Sequence, residues 1–192
     1  MNLGGNPIVT GLIRQQGVVA NFVLKDFATA TSGSGGTSKN NRYVRVYAGT
    51  TAGSYARAAI LIYGLSLSRS VGVLDWSLPG CFSIHVQREA ASANGNSWAF
   101  IGLSWSDLPT NADPTTKGIG IRLDYNNFKG ITHNGTDLTV VDLSIVASGN
   151  TLYKVDILSD GAGNIYWYID DNLVGSSSAG PTGLSGGNVN IP

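Results

Sequence analysis

Charged residues are scarce in this chain, and neither sign dominates. Twelve Lys and Arg balance twelve Asp and Glu, so the formal net charge is zero and charged residues make up 12% of the sequence. No run of basic residues occurs anywhere. Binding to nucleic acid or to an anionic membrane surface depends on concentrated positive charge, which this sequence does not have. We therefore expect neither nucleic acid nor a membrane among its partners.

Cysteine and long apolar runs are also lacking. Cys81 is the single cysteine, so the chain cannot form an internal disulfide, and we expect the thiol to act as a small buried apolar group. No apolar run approaches the roughly 18 residues that a bilayer span needs. The apolar segment 17–24 is short and has no basic leader or small-residue cleavage site, so no signal peptide is expected.

Glycine, by contrast, is abundant, with 26 residues in a chain of 192. This composition disfavours long helices, and the length suits one domain with a sizeable core. Apolar segments of five to nine residues, separated by Gly, Asn, Asp and Ser, are typical of an all-β sandwich.

The segment 152–175 carries the clearest pattern. Tyr153, Val155 and Ile157 alternate with polar residues, and after the turn 160–164 the alternation resumes at Ile165, Trp167 and Ile169. A period of two on both sides of a Gly/Asp/Asn turn predicts an antiparallel hairpin with one buried face. Asp171-Asn172 predicts a second turn into a short strand.

Further strands are predicted at 43–47, 55–63, 80–90, 97–105, 118–125 and 138–146, and 29–41 is predicted to be a loop. We expect residues 1–25 to form an N-terminal arm or peripheral strand and residues 26–192 to form the sandwich domain. The predicted core consists of the apolar residues that share a strand face: Phe82, Ile84, Val86, Phe100, Ile119, Ile121, Leu123, Val155, Ile157, Trp167 and Ile169.

Two short motifs carry a family resemblance. The strand-like Arg42–Tyr47 is followed by Gly49-Thr50-Thr51-Ala52-Gly53-Ser54 and a second apolar run, and the ladder at 152–175 comes later in the chain. This order resembles the concanavalin A-like (laminin-G-like) jelly-roll modules of bacteriophage virion proteins. The resemblance implies a two-sheet antiparallel jelly roll over residues 26–192. Such modules continue with one more strand than this chain offers, so we expect an uncovered sheet edge.

Concanavalin A-like folds include glucanases, which use two nearby glutamates, and this resemblance raises the question of catalysis. Glu89 is the only glutamate, and Asp170-Asp171 are adjacent, so their side chains point to opposite faces of a strand. His85 and His133 are the only imidazoles, too few for a zinc site, and no Gly-x-Ser-x-Gly motif is present. We expect no catalytic residues and no enzymatic activity.

Two weaker site hypotheses remain. Jelly-roll lectins hold calcium in loops rich in oxygen ligands, which makes Asp160 and Asn164, and the segment 107–113, candidates for a calcium site. The alternative is that Asp and Asn serve turn geometry, so no metal or other cofactor is expected. Trp105, Tyr166 and Tyr168 are predicted to be exposed aromatic residues that contact a glycan or a protein partner, whereas Trp98 and Trp167 are predicted to be buried.

The function expected from these residues and from the family resemblance is that of a non-enzymatic virion structural protein, either a capsid decoration (cement) subunit or a tail-fibre component. It would be located in the virion and would contact copies of itself, other capsid or tail proteins, or both. The alternative is a lectin-like module that attaches to cell-surface glycan. The arm, with apolar clusters at 18–20 and 22–24, is predicted to mediate subunit contact.

Overall fold

The computed structural model describes residues 75–88, 98–104 and 113–183, together with the strands elsewhere in the chain. Every regular element among the described residues is a β-strand. In chain order the strands are β1 (Gly11–Gln15), β2 (Val18–Phe22), β3 (Ala28–Ser32), β4 (Gly36–Lys39), β5 (Val44–Tyr47), β6 (Tyr55–Leu61), β7 (Gly80–Gln87), β8 (Trp98–Ser104), β9 (Gly118–Asp124), β10 (Asn127–His133), β11 (Leu138–Val146), β12 (Leu152–Ser159), β13 (Ile165–Ile169), β14 (Asn172–Ser177) and β15 (Asn190–Ile191).

The strands form two large antiparallel sheets and one small ribbon. One sheet has the order β14-β13-β12-β7-β1-β2, and the other has the order β11-β10-β9-β8-β15-β6-β3. Strands β4 and β5 pair separately. The predicted all-β, two-sheet antiparallel sandwich is therefore confirmed.

The two sheets enclose one core. Phe82, Val155 and Trp167 from the six-stranded sheet belong to the same buried cluster as Ile121 and Phe128 from the seven-stranded sheet. The Trp167 indole also donates a hydrogen bond across the core to the Gly120 carbonyl at 2.8 Å. Burial of these large apolar side chains is the main source of stability in such a sandwich.

The predicted hairpin is confirmed residue by residue. Val155 pairs with Ile169 and Ile157 pairs with Trp167, and all four side chains are buried. The second turn lies one residue earlier than the predicted Asp171-Asn172: Asp170 and Asp171, with φ of 50° and 67°, form the turn, and Asn172 begins β14. Positive φ at two consecutive residues is the geometry of a type I′ turn, which Asp tolerates better than most residues.

The predicted core is correct for most residues and wrong for one. Nine of the predicted residues are buried, and Ile84 is half-buried against the core cluster. Phe100 does not belong to the core, because its strand β8 turns the opposite face inward: Leu103 is buried, and Ile101 packs against the core cluster. The Phe100 ring lies instead over Gly102 and Gly120, where a Cβ atom would be 2.9 Å or less from ring carbons.

Several boundaries also differ from the sequence prediction. The predicted loop 29–41 contains β3 and β4, which pair with β6 and β5, respectively. Strand β10 was not predicted, because Gly130 and Lys129 interrupt its apolar pattern. Within the predicted arm, β1 pairs with both β2 and β7 of the same chain, and β2 is the edge strand of the six-stranded sheet.

Two other sequence expectations concern Cys81 and the membrane. Cys81 is half-buried on β7 rather than fully buried, because it lies on the face opposite the core residue Phe82. Within the described ranges, no helix has the length and apolar character of a bilayer span.

Candidate functional site

An open cleft lies where the edges of the two sheets meet. Strands β11 and β14 are the edge strands of the two sheets and pack against each other. The cleft has a volume of about 540 Å³. Its lining residues are mostly small and hydroxyl-bearing, with one aromatic ring: Thr139, Asn164, Tyr166, Ser176, Ser177, Ser178 and Ala179.

Tyr166 reaches this cleft because of the alternation on β13. Ile165, Trp167 and Ile169 point into the core, so Tyr166 and Tyr168 point to the outer face and are half-buried. Tyr166 pairs with Leu158 on β12 and with Ser176 on β14. The ring therefore lies among the hydroxyl groups at the end of β14.

Asn164 is held in place by Asp160. The Asp160 carboxylate accepts hydrogen bonds from the backbone N–H of Ala162 at 2.7 Å and of Asn164 at 3.0 Å. The Asn164 side-chain amide donates to the same carboxylate at 2.5 Å, and this bond fixes the orientation of the amide beside the cleft. These hydrogen bonds, first from the Asn164 side chain and then from Ala162, hold the pKa of Asp160 below its usual value.

The hydrogen bonds bear on the calcium hypothesis for Asp160 and Asn164. Both carboxylate oxygens of Asp160 already accept hydrogen bonds inside the turn. The geometry of the turn is therefore sufficient to explain why Asp160 and Asn164 stand at these positions. In the described ranges, no three His, Cys, Asp or Glu side chains cluster as metal ligands would. Asp113, the described end of segment 107–113, is paired with Arg122 at 2.5 Å.

Tyr168 lies on the same outer face but outside the cleft lining. It pairs with Asp156 across β12, and the Asp156 carboxylate accepts a hydrogen bond from the Ser83 hydroxyl. Lys154 joins Asp156 at 3.1 Å and Asp171 at 2.5 Å, and these carboxylates raise the pKa of Lys154. Tyr168 thus belongs to a charged surface, whereas Tyr166 belongs to a neutral one.

The structure places the predicted site residues in three groups. Tyr166 and Asn164 come together in the cleft, with Asp160 supporting Asn164. Tyr168 is a neighbour on the same face, and Trp105 lies outside the described residues. Sequence reasoning missed Thr139 and Ser176–Ser178. The run of three serines was visible as small hydroxyl residues, but its proximity to Tyr166 depends on strand pairing.

Neither histidine lies in the cleft. His85 is exposed on β7, and His133 is buried at the end of β10. The His133 Nδ1 accepts the Gly135 N–H at 3.0 Å, and burial lowers the pKa of His133, partly opposed by the nearby Asp137 charge. Burial therefore disfavours the charged form of the His133 imidazole, and the side chain helps to hold the turn after β10.

Comparison with known proteins gives a fold likeness only. No protein-family profile matches the chain, and no curated protein sequence is a match. Among solved structures, the receptor-binding domain of botulinum neurotoxin D is similar with a TM-score of 0.51 and 11% identity. The likeness covers 97% of this chain and 44% of that one, so this chain spans less than half of the toxin domain.

A carbohydrate esterase from the Shiga toxin-encoding bacteriophage phi24B is similar with a TM-score of 0.33 and 13% identity, over 85% of this chain and 80% of that one. A TM-score this low does not establish a shared fold. The likeness to the toxin domain agrees with the observed sheets, and we conclude that this chain is an all-β, two-sheet antiparallel sandwich.

Proposed function

We propose that this chain is a non-enzymatic binding module that holds a neutral glycan in the Tyr166 cleft. The observation that carries the proposal is the cleft's composition: one aromatic ring, one amide held in a fixed orientation, and several hydroxyl groups. An aromatic face packs against the apolar face of a sugar ring, while hydroxyl and amide groups exchange hydrogen bonds with sugar hydroxyls.

The charge of the cleft supports a neutral ligand. No Asp, Glu, Lys, Arg or His is among the residues that line it. An anionic sugar would give up its hydration without gaining an ion pair, which is unfavourable. Glycoside hydrolysis normally requires two carboxyl groups beside the bond, so a cleft with this lining suits binding without catalysis.

The fold is shared with a receptor-binding domain, but at 11% identity that likeness concerns the fold alone. The proposal therefore depends on the cleft. In a bacteriophage virion, the setting that the resemblance to concanavalin A-like modules implies, such a module would attach the particle to cell-surface glycan.

Substituting Tyr166 with alanine tests this proposal. We expect binding of neutral oligosaccharides to weaken about tenfold or more, because the stacking surface is lost. Tyr166→Phe should keep most of the affinity, since the ring face remains. The measurement is isothermal titration calorimetry with oligosaccharides selected on an array of neutral and sialylated glycans.

Tyr168→Ala is the matched control, because Tyr168 lies on the same strand and the same face but outside the cleft lining. Equal losses for Tyr166→Ala and Tyr168→Ala would place the ligand elsewhere on this face. The bound oligosaccharide should be recovered intact. Release of reducing sugar by the wild type, lost in Glu89→Ala, would show that the protein is an enzyme.

A second candidate function is assembly into a virion as a capsid decoration subunit or tail-fibre component. Leu138, Val140 and Val146 are exposed on β11, an edge strand, with exposed fractions of 39%, 44% and 58%. Strand β2 is an edge of the other sheet. Exposed edges and apolar side chains favour contact with another chain.

Deleting residues 1–25 tests the assembly role of the arm. We expect the remaining sandwich to fold, because the paired strands that enclose the described core are kept in both sheets, but to lose association with its own copies or with the particle. Circular dichroism and size-exclusion chromatography with light scattering measure the two effects. A deletion variant that still assembles would contradict the role, and one that cannot fold would place β1 and β2 in the core of their own subunit.

A further inference from the structure

Arg88 carries a charge that the described part of the domain does not neutralise. It follows β7, and its guanidinium carbon lies 5.2 Å from the centroid of the Tyr125 ring. Its Nε is buried and has no hydrogen-bond partner. The described ion pairs involve other cations, so no carboxylate among the described residues pairs with Arg88.

Asp137 carries the opposite charge. Its backbone N–H donates to the Asn134 side-chain oxygen at 2.9 Å, and its carbonyl accepts the Asn134 N–H at 3.2 Å, so the turn is well fixed. The residue is exposed, and its carboxylate forms no ion pair with any described residue. Neither neighbour on this turn pairs with the Asp137 carboxylate: the His133 Nδ1 accepts the Gly135 N–H, and the Lys117 ammonium, whose side chain lies against Gly135, donates to the Thr182 carbonyl at 2.5 Å.

The two charges lie at opposite ends of the sandwich. Tyr125, beside Arg88, lies two residues before the start of β10, and Asp137 lies in the turn after the end of β10, directly before β11. A strand of this length spans roughly 20 Å at about 3.3 Å per residue. One molecule therefore cannot join its own Arg88 to its own Asp137, whereas two molecules can.

Apolar side chains accompany both charges. Leu152, paired with Gln87 next to Arg88, is 57% exposed. Leu138, next to Asp137, is 39% exposed. An exposed ion pair alone contributes little to association, so these apolar groups are needed for a contact of any strength.

We propose that copies of this chain associate head to tail, with the Arg88 end of one copy against the Asp137 end of the next. The two groups carry opposite charges, neither forms an ion pair with a described residue, and each lies beside an exposed leucine. Such a contact is heterologous, so each copy in a bound pair still has one free end. Further copies add to these ends and form a closed ring or an open filament. The inference does not depend on glycan binding.

Charge reversal provides the test. Sedimentation velocity of the full chain should show association that strengthens with concentration and weakens between about 0.02 M and about 0.5 M salt, because screening weakens exposed ion pairs. Arg88→Glu and Asp137→Arg should each lower the association constant about tenfold or more. An equimolar mixture of the two variants should associate again, because each then meets a partner of opposite charge.

The mixture also controls for misfolding and for altered net charge. Adding the other variant would relieve neither defect, whereas it would restore the proposed contact. If a reversed variant does not fold, Arg88→Gln and Asp137→Asn replace the pair, and each should again weaken association. Unchanged association in the single variants, or no recovery in the mixture, would overturn the proposal. A wild type that stays monomeric at all concentrations would overturn it as well.

Glycan binding by Arg88→Glu should be unaffected, because Arg88 is at the end opposite the cleft. Failure of the assembly proposal is therefore distinguishable from failure of the glycan-binding proposal.

Discussion

Replacing Trp167 by alanine is expected to lower the free energy of unfolding by about 3–5 kcal/mol. The side chain is fully buried, its indole N–H donates to the Gly120 carbonyl at 2.8 Å, and its ring packs on Gly130. Truncation would leave a cavity between the sheets and remove the hydrogen bond that joins them. Chemical denaturation followed by circular dichroism measures the change.

Tyr168→Ala is the control for this prediction. Tyr168 is the next residue on β13, but it points outward and is half-buried, so its loss should cost about 1 kcal/mol. A change below about 0.5 kcal/mol for Trp167→Ala, within the range of ordinary surface substitutions, would show that Trp167 is not a core residue.

Replacing Gly102 by valine is expected to destabilise the domain by about 3 kcal/mol or more, at the upper end of the cost of overpacking. A Cβ at this position would lie 2.2 Å from the Ile119 carbonyl oxygen and 2.5 Å from the Gly120 Cα. Both are backbone atoms of the paired strand β9, so neither can move aside as a flexible side chain would. β-propensity by itself predicts the opposite sign, since valine favours strands over glycine.

Ala162→Val is the matched control for added bulk. Ala162 is exposed in the turn between β12 and β13, so the larger side chain should change stability by less than about 0.5 kcal/mol. Thermal unfolding of the two variants provides the comparison. Equal stability of Gly102→Val and wild type would mean that the backbones of β8 and β9 leave room for a side chain at this position.

Strand β8 shows that a sequence pattern does not always predict which face of a strand is buried. Phe100 lies on one face of β8, and Ile101 and Leu103 lie on the other, so a period of two does not say which face is buried. The structure buries the Ile101–Leu103 face. It leaves the Phe100 ring over Gly102 and Gly120, which have no side chains to occupy that space. To predict that arrangement, one would have to know that Gly102 pairs with Gly120.

Local sequence patterns were sufficient to predict the all-β class, the hairpin from β12 to β14 and most of the core. These features depend on neighbours a few residues apart: alternation fixes which side chains share a face, and turn residues such as Asp170 and Asp171 fix where the chain reverses. Tyr166 and Tyr168 were predicted to face outward for the same local reason.

Long-range strand pairing sets which residues surround Tyr166 and where the charges of Arg88 and Asp137 lie. Thr139 and Ser176 meet because β11 and β14 are the edge strands of two sheets that pack together. Arg88 and Asp137 lie at opposite ends because of the direction in which their strands run. Both arrangements follow from long-range strand pairing, which is decided by burial of the whole core and leaves no periodic signal in the local sequence.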